Sequence, residues 1–89
     1  MRAVITVIGK DVVGILSQVS GACTEANANI IEVTQSVLQD LFAMIMLVDI
    51  SGLNTSFDRF AASIDAIGQR MNLSTHVMHE DIFNSMHRI

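Results

Sequence analysis

Two stretches of this chain are too apolar to lie at a surface, and they limit what it can fold into. Ala3-Val4-Ile5-Thr6-Val7-Ile8 is broken only by Thr6, and the run from Leu41 to Ile50 only by Asp49. Short apolar runs without alternation read as strands covered on both faces, so both are predicted to be central strands of a sheet. Two further runs are more polar. Ile30 to Gln39 interleaves β-branched residues with Glu32, Thr34, Gln35 and Ser36, the pattern of an edge or partly exposed strand. Leu73 to His79 alternates Leu73, Thr75 and Val77 against Ser74, His76 and Met78. Gln39-Asp40 is a tight connection, so the second and third runs read as a hairpin.

Helical spacing fills the gaps. From Gly14 to Ala28 the apolar positions Ile15, Leu16, Val19, Ala22, Cys23 and Ala26 recur every three to four residues and make one greasy face. Asp11 is a candidate N-cap, and Asn27-Ala28-Asn29 a candidate exit, since asparagine tolerates the left-handed conformation. Ser51-Gly52-Leu53-Asn54 is a loop. A second helix is predicted from Thr55 to Met71, with Phe57, Phe60, Ala61, Ile64, Ile67 and Met71 as its stripe. Thr55-x-x-Asp58 resembles a capping box with a shorter acid, and Asn72 can end the helix. Glu80 to Ile89 puts Ile82, Phe83, Met86 and Ile89 on one face of a short amphipathic helix.

The order is strand, helix, strand, strand, helix, strand, with a terminal helix. This is the split βαβ arrangement of an α+β, ferredoxin-like βαββαβ sandwich, here expected as a single domain over residues 1–89. In that topology the first and third strands are central, which agrees with their apolarity. Two helices cover one face of the sheet. The other face needs a partner subunit or the tail helix.

Composition points the same way. Of 89 residues, 51% are hydrophobic, a surplus for so small a body, and a homodimer or larger assembly is expected. The net charge is −4 and the five basic residues are scattered, which argues against nucleic acid. Stacking on RNA is excluded too, because the only aromatics are four phenylalanines and three of them fall in predicted helices. No charged n-region precedes an apolar h-region, and no apolar run nears the roughly 20 residues that span a bilayer. One cysteine excludes an internal disulfide. A cytoplasmic protein without a membrane partner is the expectation.

The residues offer little for catalysis, and no enzyme activity is predicted. A phosphate-handling enzyme of this topology needs a cationic loop after the first strand; here the loop holds Lys10 and Asp11 but no arginine. A nucleophile–base pair needs Ser or Cys beside His, but His76, His79 and His87 all lie near the C-terminal end. His76-x-x-His79-Glu80-Asp81 has metal-ligand residue types. On a strand, however, positions three apart face opposite ways, so exposed edge-strand histidines followed by capping acids are expected. Cys23 sits on the greasy helical face, as a core residue does. Met44, Met46 and Met71 fall on core positions, although six methionines also suit an adaptable binding surface. No metal or cofactor is predicted.

What remains is the corner Gly9-Lys10-Asp11-Val12-Val13-Gly14-Ile15-Leu16. A strand end leading through a short turn into a helix aims backbone N–H groups outward, and a helix N-terminus favours anions such as a carboxylate. Each residue also has a plain structural reading: Asp11 as a cap, Gly14 as a point of close helix approach, Asn29 as a turn former.

Asp11-x-x-Gly14-Ile15-Leu16 after a strand, with Asn29-Ile30 opening the next strand, resembles the signature of the ACT domain, a small amino-acid-sensing module. Thr34-Gln35-Ser36-Val37-Leu38-Gln39-Asp40 and the tail from Asp81 to Ile89 are similar to stand-alone bacterial ACT proteins of poorly defined function. Many ACT domains carry proline where this chain has Val13, so its corner lacks one fixed dihedral. The resemblance implies a ligand held at a subunit interface. Asp11, Val12, Val13, Gly14 and Ile15 of one chain would line one side, and Asn29 and Ile30 of its neighbour the other. N–H groups near Gly14 would bind the ligand carboxylate, and Asn29 or Asp11 its ammonium. Two functions stay open: a homodimeric regulatory amino-acid sensor, and a ligand-free interaction module that docks on a metabolic enzyme or regulator.

Overall fold

The computed structural model describes residues 1–10 and 13–86, with only the backbone of Leu38. Its elements are β1 (Arg2–Lys10), α1 (Ile15–Glu25), β2 (Asn29–Leu38), β3 (Leu41–Asp49), α2 (Phe57–Met71), β4 (Ser74–His79) and α3 (Glu80–Met86). The four strands form one antiparallel sheet in the order β2-β3-β1-β4, with both apolar runs at its centre. The ferredoxin-like arrangement is therefore observed.

Cross-strand partners share a face, and the pairing sorts the side chains. Ala3, Ile5 and Val7 of β1 lie beside Val48, Met46 and Met44 of β3 on the helix side. There they meet Ile15, Val19 and Cys23 of α1 and Phe60, Ile64 and Ile67 of α2 in one buried cluster. β3 alternates without a break, so Phe42, Met44, Met46 and Val48 are buried while Leu41 and Ile45 are exposed. The other face carries Val4, Thr6 and Ile8 of β1, Ala43, Ile45 and Leu47 of β3, and His76 and Met78 of β4. Of the two covers expected for that face, the tail helix supplies part: α3 packs on β1 and β4, leaving the β3 side open. The whole is a slab with Cα extents of 36 × 34 × 19 Å.

Helix ends differ from expectation in instructive ways. The N-cap of α1 is Gly14, at φ 91°, not Asp11, which lies outside the described residues. A side chain on Gly14 would meet no atom within 4 Å, so the glycine serves backbone conformation, not close helix approach. The helix stops at Glu25, short of Ala28, and Asn27 takes the left-handed turn at φ 60°. Its amide donates to the Gly52 carbonyl at 2.8 Å, pinning the 51–54 loop. The cap of α2 is Ser56, not Thr55. Ser56 has extended dihedrals, and its hydroxyl accepts from the Arg59 N–H at 3.2 Å. Asp58 remains in the first turn, where an acid complements the helix dipole. Asn72 closes α2 at φ 59°, as expected. Close approach is what Gly68 provides: a methyl there would sit 2.8 Å from Thr75 Cγ2 and 3.0 Å from the Leu73 carbonyl.

Candidate functional site

The corner is built by β1 ending at Lys10 and α1 beginning at Ile15. Ile15 is buried and anchors the first turn in the core, while Val13 is 98% exposed. The Gly14 carbonyl accepts the first helical bond from Gln18 N–H at 2.9 Å. The first N–H groups of any α-helix have no intrahelical acceptor. Glycine brings no side-chain cap to them, and the first turn of α1 contains no acid. The described part of the corner thus offers outward donors and an uncompensated positive helix end. Asp11 and Val12, the remaining predicted corner residues, lie outside the described residues.

Asn29 and Ile30 open β2. Asn29 is exposed, and Ile30 is half-buried against the core. Ile31 follows at a β-bulge, where pairing with β3 slips between Ile30 and Glu32. One chain does not bring these residues to its own corner. Asn29 pairs with Asp49, which pairs with Arg2, whereas the corner follows Lys10, paired with Leu41. The two clusters occupy opposite ends of the sheet, roughly 25 Å apart at about 3.3 Å per strand residue.

His76 and His79 face opposite ways, as their spacing on β4 requires, and His87 lies outside the described residues. His76 is exposed on the open face beside Thr6. His79 was expected to be exposed as well, but it is half-buried: its ring stacks on Phe57 at a centroid distance of 4.2 Å and an interplanar angle of 15°. The neighbouring α2 N-terminus supplies that cover, which strand periodicity alone does not reveal. Its Nδ1 is buried without a hydrogen-bond partner. Among the described residues no group of three or more His, Cys, Asp or Glu side chains could hold a metal ion. Cys23 is buried, with Sγ 4.0 Å from Met46 Sδ, and burial pushes its thiol up to about 11. It is a core residue, not a thiolate nucleophile.

Sequence reasoning missed an open cleft of about 740 Å³ at the start of β1, lined by Arg2, Asp49, His79 and Glu80 among others. Arg2 pairs with Glu80 through Nε–Oε1 at 2.9 Å and Nη2–Oε2 at 2.7 Å. The Ser51 N–H donates to Asp49 at 2.8 Å and, with the Ser51 hydroxyl, holds the carboxyl below its usual range. Arg2 and Glu80 thus satisfy each other and Asp49 is held by Ser51, while Asp81 and the unpartnered His79 also line the cleft. Only the antiparallel β1–β4 pairing brings Arg2 to Glu80, so no local motif signalled the pair.

An antiparallel ferredoxin-like sheet leading through a glycine-capped corner into its first helix frames the candidate site, and a fold that hosts many functions does not by itself name one. Comparison with known proteins gives the family. The ACT domain pattern matches residues 2–78. A UPF0237 protein of Clostridium acetobutylicum is 44% identical over 89 residues, covering 100% of both chains. An ACT domain protein from Streptococcus pneumoniae superimposes with a TM-score of 0.79 at 36% identity, covering 93% of each chain. A putative glycine cleavage system transcriptional repressor gives a TM-score of 0.74 at 29% identity, over 85% of this chain and 43% of that one. The chain belongs to the ACT domain family, a family of regulatory modules, and its full-length relatives are stand-alone proteins of undefined function. Among the described residues no helix is long and apolar enough to cross a membrane.

Proposed function

We propose that this protein is a homodimeric regulatory module that binds a free amino acid between subunits. The observation that carries this reading is the placement of the two clusters at opposite ends of a sheet whose β2 edge is free. β2 is ten residues long, and among the described residues no strand lies beyond it. Ile31 and Val37 stay exposed on it, and Glu32 is its only charge. A long edge with so little charge is a template for pairing. Antiparallel pairing of two β2 edges about a two-fold axis sets Asn29 of one chain beside the Leu38 end of its neighbour. That is the end where β1 finishes and α1, which packs beside β2, begins.

The ligand carboxylate then meets the N–H groups following Gly14. Val13 and Ile15 contribute at the corner with Asp11 and Val12, and Ile30 flanks the ligand across the seam. Asn29 of the neighbour or Asp11 accepts from the ammonium. The experiment is a thermal-shift screen of the twenty amino acids. A ligand at 100 times its Kd adds about 2.7 kcal/mol, a rise of roughly 10–20 °C for a domain of this size. Calorimetry then shows Asn29→Ala weakening that ligand by about 1–3 kcal/mol, the loss of a hydrogen bond to a charged group. If none of the twenty shifts the transition, the sensor reading fails. Docking of the ligand-free module on an enzyme or regulator takes its place.

A further inference from the structure

The sheet face opposite α1 and α2 is not flat. α3 packs on β1 and β4, and beside it lies a groove of about 350 Å³. Ile8, Ala43, Ile45 and Met78 of the strands line it, with Phe83 and Met86 of α3. Among the described residues of the lining, only Thr6 and His76 have polar side chains. They are cross-strand partners, so they lie together on this face, and Ile45 partners Thr6 from the other side. The row His76, Thr6, Ile45 therefore crosses the floor. One end of it can hydrogen-bond and the other cannot.

Size, lining and charge each narrow the occupant. One turn of a partner helix, roughly 10 Å across and about 5.4 Å long, displaces roughly 420 Å³. That is more than the groove holds. Its 350 Å³ instead falls at the small end of the roughly 300–1,000 Å³ of ligand pockets, which are likewise apolar with a few polar groups. Met78 and Met86 have unbranched thioether side chains that adapt to different apolar shapes, a use outside the core for two of the six methionines. Among the described residues no Asp or Glu lines the groove, and His76 is the one lining group that can carry charge, a positive one. The head group it complements is an anion. An imidazolium and the Thr6 hydroxyl can both donate to a carboxylate. A free amino acid is a poor fit, because its ammonium would find no carboxylate here and would be desolvated unpaired. Ile45 stands two strands from His76, roughly 10 Å, which favours a medium chain over a short one.

We propose that this groove is a second ligand site, which takes a medium-chain monocarboxylate with its head at His76 and Thr6 and its chain across Ile45, between Ile8, Phe83 and Met86. The site is independent of amino-acid binding at the Gly14 corner.

The probe is octanoate, kept below its micelle concentration, titrated into the intact chain and followed by calorimetry and by backbone amide NMR shifts. Octanol and octylamine keep the chain and change the head. Octanoate is expected to saturate, with shifts centred on Thr6, Ile45, His76 and Phe83, to bind more tightly than octanol, and to leave octylamine without measurable binding. His76→Ala should weaken octanoate about tenfold or more, the loss of a hydrogen bond to a charged group, and octanol less. Ile45→Glu, a charge in the groove floor, should abolish binding. If that variant loses its folded circular dichroism spectrum, Met86→Glu decides in its place, since Met86 is 66% exposed. The proposal is overturned if octanoate does not saturate, if folded Ile45→Glu or Met86→Glu binds it like the wild type, or if octylamine binds as tightly. It is equally overturned if any of the twenty amino acids competes with octanoate. The same holds if the groove amides shift with protein concentration and octanoate leaves them unmoved, since a second copy then covers the face.

Discussion

Replacing Gly14 separates backbone strain from steric crowding, because the structure supplies one without the other. Gly14 sits at φ 91°, ψ 6°, while an added Cβ meets nothing within 4 Å. Alanine in the left-handed region costs about 1–2 kcal/mol. The turn can escape that strain only by shifting the start of α1, which lifts Ile15 out of the core. Exposing a buried isoleucine costs about 1.5–3 kcal/mol, so relaxation gains nothing and the strain stays. Gly14→Ala should therefore lose about 1–2 kcal/mol in urea unfolding, a Tm lower by roughly 5–15 °C for a domain of 89 residues. Gly14→Asn is the control. Asparagine tolerates the left-handed region and is a good N-cap residue, and α1 lacks a side-chain cap. It should stay within about 0.5 kcal/mol of wild type, near the few tenths that separate a glycine cap from a good one. Gly14→Val should fall below alanine, because β-branching adds to the left-handed penalty, and should abolish any amino-acid binding at the corner. If alanine and asparagine unfold alike, at wild-type stability, the conformational account of Gly14 is wrong.

Three further outcomes follow from single contacts. Ser56→Ala should cost about 1 kcal/mol in urea unfolding by removing the α2 cap, while Thr55→Ala should be near neutral. The Cys23 thiol should resist a thiol reagent in the folded protein and react fully in urea, since burial holds it neutral up to about 11; rapid labelling of the folded form would contradict this. The Asp49 carboxyl is held below its usual value, chiefly by the Ser51 N–H. A depressed folded pKa gives stability that is present above the unfolded value, about 3.9, and lost as pH falls through the folded one. The Tm gap between wild type and Asp49→Asn should therefore exist at neutral pH and close in acid, whereas a gap that widens in acid would refute the sign.

The fold was legible because its signals are redundant. The apolar runs at 3–8 and 41–50 identify the two central strands, and Asn27, Gln39 and Asn72 each mark a turn with positive φ. Cap identities were less legible. Thr55 and Ser56 are both competent caps, and only the dihedrals at Ser56 decide between them. The stack of His79 on Phe57 was hidden because it joins the end of one strand to the start of a helix 22 residues earlier. The candidate site was visible only as types in sequence, Gly14 at one corner and Asn29 at the next strand. They lie at opposite ends of one sheet because α1 carries the chain back from the Lys10 end of β1 to the Arg2 end before β2 begins.

That separation has a genetic consequence. If β2 edges pair, a dimer holds two sites, each made of one chain's corner and the other chain's Asn29. Mix a Gly14→Val chain with an Asn29→Ala chain, each defective alone. In the heterodimer both lesions fall in the same site, and the second site is assembled wholly from intact parts. Two crippled alleles would thus complement one another and restore one functional site in two. Both lesions carried on a single chain, paired with a wild-type chain, would spoil both sites.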